Sequence, residues 1–84
     1  MKFALVLKPK VKKSLDNLER KEREKIIRIL DAIVDNPFLG KKLSGQYVGL
    51  YSVRAWPYRI IYEIRLKDLI IFVIGIKNRK DAYR

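Results

Sequence analysis

Apolar and polar positions change rhythm along this chain, and each rhythm predicts an element. Val11, Leu15 and Leu18 recur at helical spacing. Ile26, Ile27, Leu30, Ile33 and Val34 then fall at i, i+1, i+4, i+7 and i+8, which lays one apolar stripe along a second, stronger helix. The other face of that helix carries Lys21, Arg23, Lys25, Arg28 and Asp35. Asp16, Asn17 and the segment ERKERE mark a tight turn between the two, but no strong N-cap fixes the boundary, and one kinked helix fits the same pattern. Asn36-Pro37 ends the second helix, because proline moves the residue before it out of helical geometry.

From Leu50 the period becomes two. In LYSVRAWPYRIIYEI, strand alternation puts Leu50, Ser52, Arg54 and Trp56 on one face and Tyr51, Val53 and Ala55 on the other. After Pro57, Tyr58, Ile60, Tyr62 and Ile64 form an apolar face, with Arg59, Ile61, Glu63 and Arg65 opposite. The core takes the apolar faces, so Arg54 and Arg59 fall together on the far side of a hairpin. Two further runs are continuously apolar. KFALVLK reads as a short strand that Pro9 closes, or from which Pro9 opens the first helix. Leu66-Lys67-Asp68 is a turn, and LIIFVIGI after it reads as a strand covered on both flanks and therefore central. PFLGKKLSG, with its two glycines and a proline, reads as a connecting loop carrying two lysines, and the sheet proper starts at Gln46 or Tyr47.

These elements give an α+β fold of order β-α-α-β-β-β: a mostly antiparallel, four-stranded sheet with a helical hairpin packed on one face and the other face open. Alternation carried through the last strand sends Ile70, Phe72, Ile74 and Ile76 towards the helices, so that the stripe of the second helix lies on Phe72 and Ile74. Lys77 and Arg79 then point to the open face. Arg54, Arg59 and Arg79 converge there, and three cations without matching carboxylates are hard to explain as a stabilising device and easy to explain as a phosphate site.

Composition narrows the reading. Eighty-four residues make a single domain over positions 1–84, near the low end of what folds alone. Twenty Lys and Arg against nine Asp and Glu give a formal charge of +11 on a chain that is 49% hydrophobic, so this is a globular basic protein rather than a basic tail. That charge calls for a negative partner: nucleic acid first, an acidic protein second, a membrane surface third. No amphipathic stretch favours the membrane. The chain has neither cysteine nor histidine, which excludes disulfides and thiolate or imidazole metal sites and removes the usual neutral-pH base; no metal or cofactor is expected. Phe3 to Leu7 is too short for a signal-peptide core and Leu69 to Ile76 too short to span a bilayer, so the expected location is the cytoplasm.

NPFLGKKLSG, GLYSVRAWPYRIIYEI and IIFVIGIKNRKDAYR, in that succession, resemble toxins of the RelE/ParE superfamily, and specifically the RelE branch of toxin–antitoxin toxins. The resemblance spans essentially the whole chain. It implies a ribosome-dependent endoribonuclease that cuts messenger RNA in the decoding site, with the ribose 2′-hydroxyl as nucleophile. Carried over by motif, Arg54 contacts the substrate backbone and assists nucleophile activation, Arg59 of the PYR motif stabilises the charged transition state, and Arg79 of NRKD stands near the leaving 5′-oxygen. Tyr83 of DAYR resembles the aromatic that stacks on or orients the substrate. Ser52 stands where some relatives carry lysine, and Asn78 where many carry histidine. Because arginine is normally locked in its protonated form, Lys77 is the nearest group able to titrate once desolvated.

Other residues have plainer roles. Lys41 and Lys42 form a solvated face that steers RNA or ribosome binding. Trp56 serves equally as a lid on the hairpin turn or as a base-stacking platform. Tyr47, Tyr51, Tyr58 and Tyr62 read as packing or antitoxin contacts rather than catalytic groups. The implied partners are the ribosome with its message and a cognate acidic antitoxin, bound in a hetero-oligomer. Two other readings stay open: a ParE-like toxin that inhibits DNA gyrase, and a non-catalytic basic RNA-binding module.

Overall fold

The computed structural model describes residues 2–78. Strand β1 (Ala4–Leu7) is followed by helices α1 (Pro9–Asp16) and α2 (Arg20–Asp35), then by strands β2 (Lys41–Lys42), β3 (Leu50–Ala55), β4 (Tyr58–Arg65) and β5 (Ile70–Asn78). The sheet order is β1-β5-β4-β3-β2, with β1 parallel to β5 and every other pair antiparallel. The expected α+β class, the helical hairpin and the central place of the last strand all hold. The strand count is five rather than four, because Lys41 and Lys42 leave the predicted loop to pair with Ser52 and Tyr51. Gln46 and Tyr47 lie in a short 3-10 turn, Gly45–Tyr47, and the sheet resumes only at Leu50.

The two helices are separate. Pro9 stands in the first turn of α1, where its missing N–H costs nothing. Arg23 of α2 reaches back so that its Nη1 donates to the carbonyls of Asp16 (3.3 Å) and Leu18 (3.4 Å), which satisfies acceptors left over at the end of α1. Val11, Leu15, Ile26, Leu30 and Ile33 pack with Ala55, Ile60, Tyr62, Ile71 and Val73 as one core, so both helices cover the same face of the sheet. No helix among the described residues is long and apolar enough to cross a membrane.

The face assignment of β5 needs a correction. Ile61 pairs with Gly75 but Tyr62 pairs with Val73, which leaves Ile74 without a partner in a β-bulge. The bulge exchanges the two faces below it. Ile71 and Val73 are fully buried against the helices, while Ile70 and Phe72, expected there, lie on the open face opposite Arg65 and Glu63. The Arg65 guanidinium covers the Phe72 ring at 4.6 Å, and its Nε donates to Glu63 at 2.5 Å. Above the bulge the expected sides stand: Ile76 faces inward opposite Ile60, and Lys77 outward opposite Arg59. Lys25 also departs from its expected solvent face, since its ammonium donates to the Trp56 carbonyl and pairs with Glu22 at 3.0 Å, tying α2 to the β3–β4 turn.

Candidate functional site

The register of the sheet builds a row of cations on the open face. Arg54 of β3 is directly opposite Arg59 of β4, and Arg59 is directly opposite Lys77 of β5. Directly opposed side chains in antiparallel strands stand about 4.5–5.5 Å apart at Cβ, and like charges in that position destabilise the pair. β2 flanks the row. Lys41, paired with Ser52, joins Leu43, Ser52, Arg54 and Arg59 in lining a cleft of about 300 Å³ with no acidic side chain in its wall. Ser52 is buried in that wall, whereas Arg54, Lys41 and Lys77 are exposed. Lys77 therefore sheds water only when something covers it.

The fold does not gather every residue the sequence singled out. Lys42 is opposite Tyr51, on the other side of the sheet from Lys41. Trp56 stands exposed in the hairpin turn, next to a cis peptide bond to Pro57, with its carbonyl held by Lys25. Arg79 and Tyr83 lie outside the described residues. Leu43 was not anticipated: it lines the cleft because its N–H donates to the Leu50 carbonyl at 2.9 Å, extending the β2–β3 pairing by one step. The described residues hold no cluster of acidic or metal-binding side chains that could take a metal ion.

A buried phenol sets the position of β2. The Tyr62 hydroxyl donates to the Pro37 carbonyl at 2.6 Å and accepts from the Gly40 N–H at 3.2 Å, so the core holds the residue just before Lys41. A Cβ on Gly40 would collide with that hydroxyl and sit 3.0 Å from the Ser52 carbonyl oxygen, which is why this position needs glycine. Tyr51 stacks on Tyr62 with ring centroids 5.7 Å apart, and Phe38 meets Tyr51 edge-on at 6.0 Å. Of the tyrosines read as packing groups, Tyr62 packs most completely. Tyr62→Phe leaves the Pro37 carbonyl and the Gly40 N–H unpaired in a closed site, so a denaturant melt should register a loss of about 1–3 kcal/mol.

Burial pushes the Tyr62 phenol above the ordinary value of 10.0, against the lowering effect of the Gly40 N–H. Above that value the unfolded chain loses the proton while the folded chain keeps it, so the native state binds more protons and stability falls as pH rises. The contribution is fully present below the unfolded value. The difference in stability between parent and Tyr62→Phe should accordingly shrink in alkaline melts.

Residues 5–83 match the family described as the ParE toxin of type II toxin–antitoxin systems. Toxin RelG of Mycobacterium tuberculosis is 30% identical over 66 residues, covering 68% of this chain and 76% of the relative. Among solved structures, the archaeal RelE–RelB complex from Pyrococcus horikoshii superposes with a TM-score of 0.81 at 26% identity, covering 94% of this chain and 97% of that one. The RelBE2 toxin–antitoxin complex from Mycobacterium tuberculosis gives 0.84 at 17% identity, covering 94% and 100%, a likeness of fold alone.

Proposed function

This chain belongs to the ParE toxin family of type II toxin–antitoxin systems, within the RelE/ParE superfamily, and on that premise we propose that it is a RelE-like endoribonuclease. It cuts messenger RNA in the ribosomal A site and so inhibits translation. The observation that carries this reading is the row Arg54, Arg59 and Lys77, held in one register on the open face beside an acid-free cleft. A row of like charges held in fixed register fits a task that calls for them, and a phosphodiester in its transition state is such a task.

In the proposed reaction the 2′-oxygen beside the scissile phosphate attacks phosphorus. The bond to the 5′-oxygen breaks, a cyclic phosphate forms, and the proton given up by the 2′-hydroxyl is matched by one taken up at the 5′-oxygen. Arg54 aligns the backbone and Arg59 holds the charge that builds on the non-bridging oxygens. Lys77 stands in the same row and adds positive charge beside the phosphate. Arg79 and Tyr83 complete the proposed set near the leaving oxygen and the base. Alignment and charge stabilisation supply most of the acceleration in this scheme, as suits a chain without histidine.

The matched family is that of toxin–antitoxin systems, and the archaeal relative was solved as a RelE–RelB complex, which supports a cognate antitoxin as partner. A charge of +11 suits an acidic one that folds around the toxin as a hetero-oligomer. The test is to induce the protein in cells and map message 5′ ends and plasmid supercoiling in the same samples. Cuts phased with codons support the nuclease. Altered supercoiling without cuts supports a ParE-like gyrase inhibitor, the reading that the matched family's name favours.

A further inference from the structure

The same sheet carries a second basic cleft at its other edge. β1 stops pairing at Leu7, opposite Val73, while β5 runs on to Asn78. The chain turns away through Lys8, whose N–H donates to the Val73 carbonyl at 3.3 Å, and enters α1 at Pro9. The gap left beside the bulge is a cleft of about 160 Å³ lined by Lys8, Lys10, Val11, Ser14 and the segment Ile74 to Lys77. No acidic side chain lines it, and α1 has none in its first turn. The acids seen in ion pairs, Asp16, Glu22, Glu24 and Glu63, are engaged elsewhere by Lys12, Lys25, Arg20 and Arg65. Lysines at the start of a helix work against its dipole, and Lys8, Lys10 and Lys77 are all exposed, so packing does not account for their gathering.

Lys77 joins this cleft to the arginine row. It lines the cleft and is also opposite Arg59, so a track of positive charge crosses the strands from Arg54 through Arg59 and Lys77 to Lys8 and Lys10. Two interstrand steps of that track span about 10 Å. A continuous line of charge fits a polyanion better than a single phosphate. The lining holds no aromatic side chain, so the contact is to backbone rather than to bases and carries no sequence preference.

We infer that the cleft of Lys8, Lys10 and Lys77 is a second phosphate site, which grips the RNA backbone beside the arginine row; this rests on RNA being what the toxin acts on. The strand gripped is either the message flanking the cut or ribosomal RNA, and two binding assays separate them. The variants are Lys8→Gln/Lys10→Gln, the charge-retaining Lys8→Arg/Lys10→Arg, and Lys21→Gln/Lys67→Gln, which removes the same charge elsewhere.

Fluorescence anisotropy with a labelled 2′-O-methyl oligonucleotide, which cannot be cut, is measured over a range of salt. Loss of two phosphate contacts should lower the slope of log K against log salt by about 1.4 and the affinity near 0.1 M salt by roughly tenfold. The arginine variant and the distant glutamine variant should keep the parent's slope. A glutamine variant that binds the oligonucleotide like the parent but no longer pellets with ribosomes assigns the site to ribosomal RNA and equally supports it. If both assays match the parent while the parent cuts message, the second site is overturned alone. A parent that binds neither oligonucleotide nor ribosome overturns it together with the nuclease reading.

Discussion

Arg59→Ala should lower cleavage of translated messages by about 10²–10³, the usual loss when one preorganised group facing transition-state charge is removed. Arg54→Ala should lower it as well, and its melting temperature should equal or exceed the parent's. The reason is the register: Arg54 is exposed and directly opposite Arg59, so truncating it removes a like-charged cross-strand pair worth a few tenths to about 1 kcal/mol of destabilisation. Arg28→Ala on the exposed side of α2 serves as the control and should change neither rate nor stability. Timed primer extension on a translated message gives the rates and thermal melts give the stabilities. Full cleavage by both variants would return the row to an ordinary solvated sheet face and the protein to a binding module.

Leu30→Ala should cost about 2–5 kcal/mol. Leu30 is 2% exposed in the middle of α2, between Ile26 and Ile33, each wholly buried, and its stripe meets the inward side chains of β4 and β5. In a chain this short, one core joins both helices to β1, β3, β4 and β5, so a cavity there is felt by all of them. The fall should appear as a lower denaturant midpoint with an unchanged slope, since the same surface is still exposed on unfolding. Ile27→Ala, at a position 42% exposed on the same helix, should lose far less.

The helices and the central hairpin were legible because each has one wet and one dry side. Alternation in LYSVRAWPYRIIYEI therefore located both the core residues Ala55, Ile60 and Tyr62 and the opposed Arg54 and Arg59. LIIFVIGI has apolar residues on both sides, so its pattern carries no parity, and the slip at Ile74 is invisible to alternation. The one signal present was Gly75, since a glycine inside a strand is the usual mark of a bulge. β2 escaped notice because two residues are too few to show a period. Its pairing depends on Gly40, which lets the Tyr62 hydroxyl approach, a contact made across 22 positions of sequence. The tie from Lys25 to the Trp56 carbonyl is of the same kind: a charged helix position reads as solvated until the hairpin turn is known to lie beside it.

The parallel pairing of β1 with β5 sets the order in which this sheet can be completed during the chain's own synthesis. Ala4 meets Ile70 and Leu7 meets Val73, so the strand made first waits, unpaired, for the strand made last among those described. The helices and the β3–β4 hairpin can form from local contacts as they leave the ribosome. The sheet cannot close, nor Lys77 take its place beside Arg59, until β5 has emerged. Closure of such a distant pair is slow compared with hairpin formation. The face that carries Arg54, Arg59 and Lys77 is thus assembled only at the end of this order, and until then the chain presents the hairpin's two arginines without the third cation of the row.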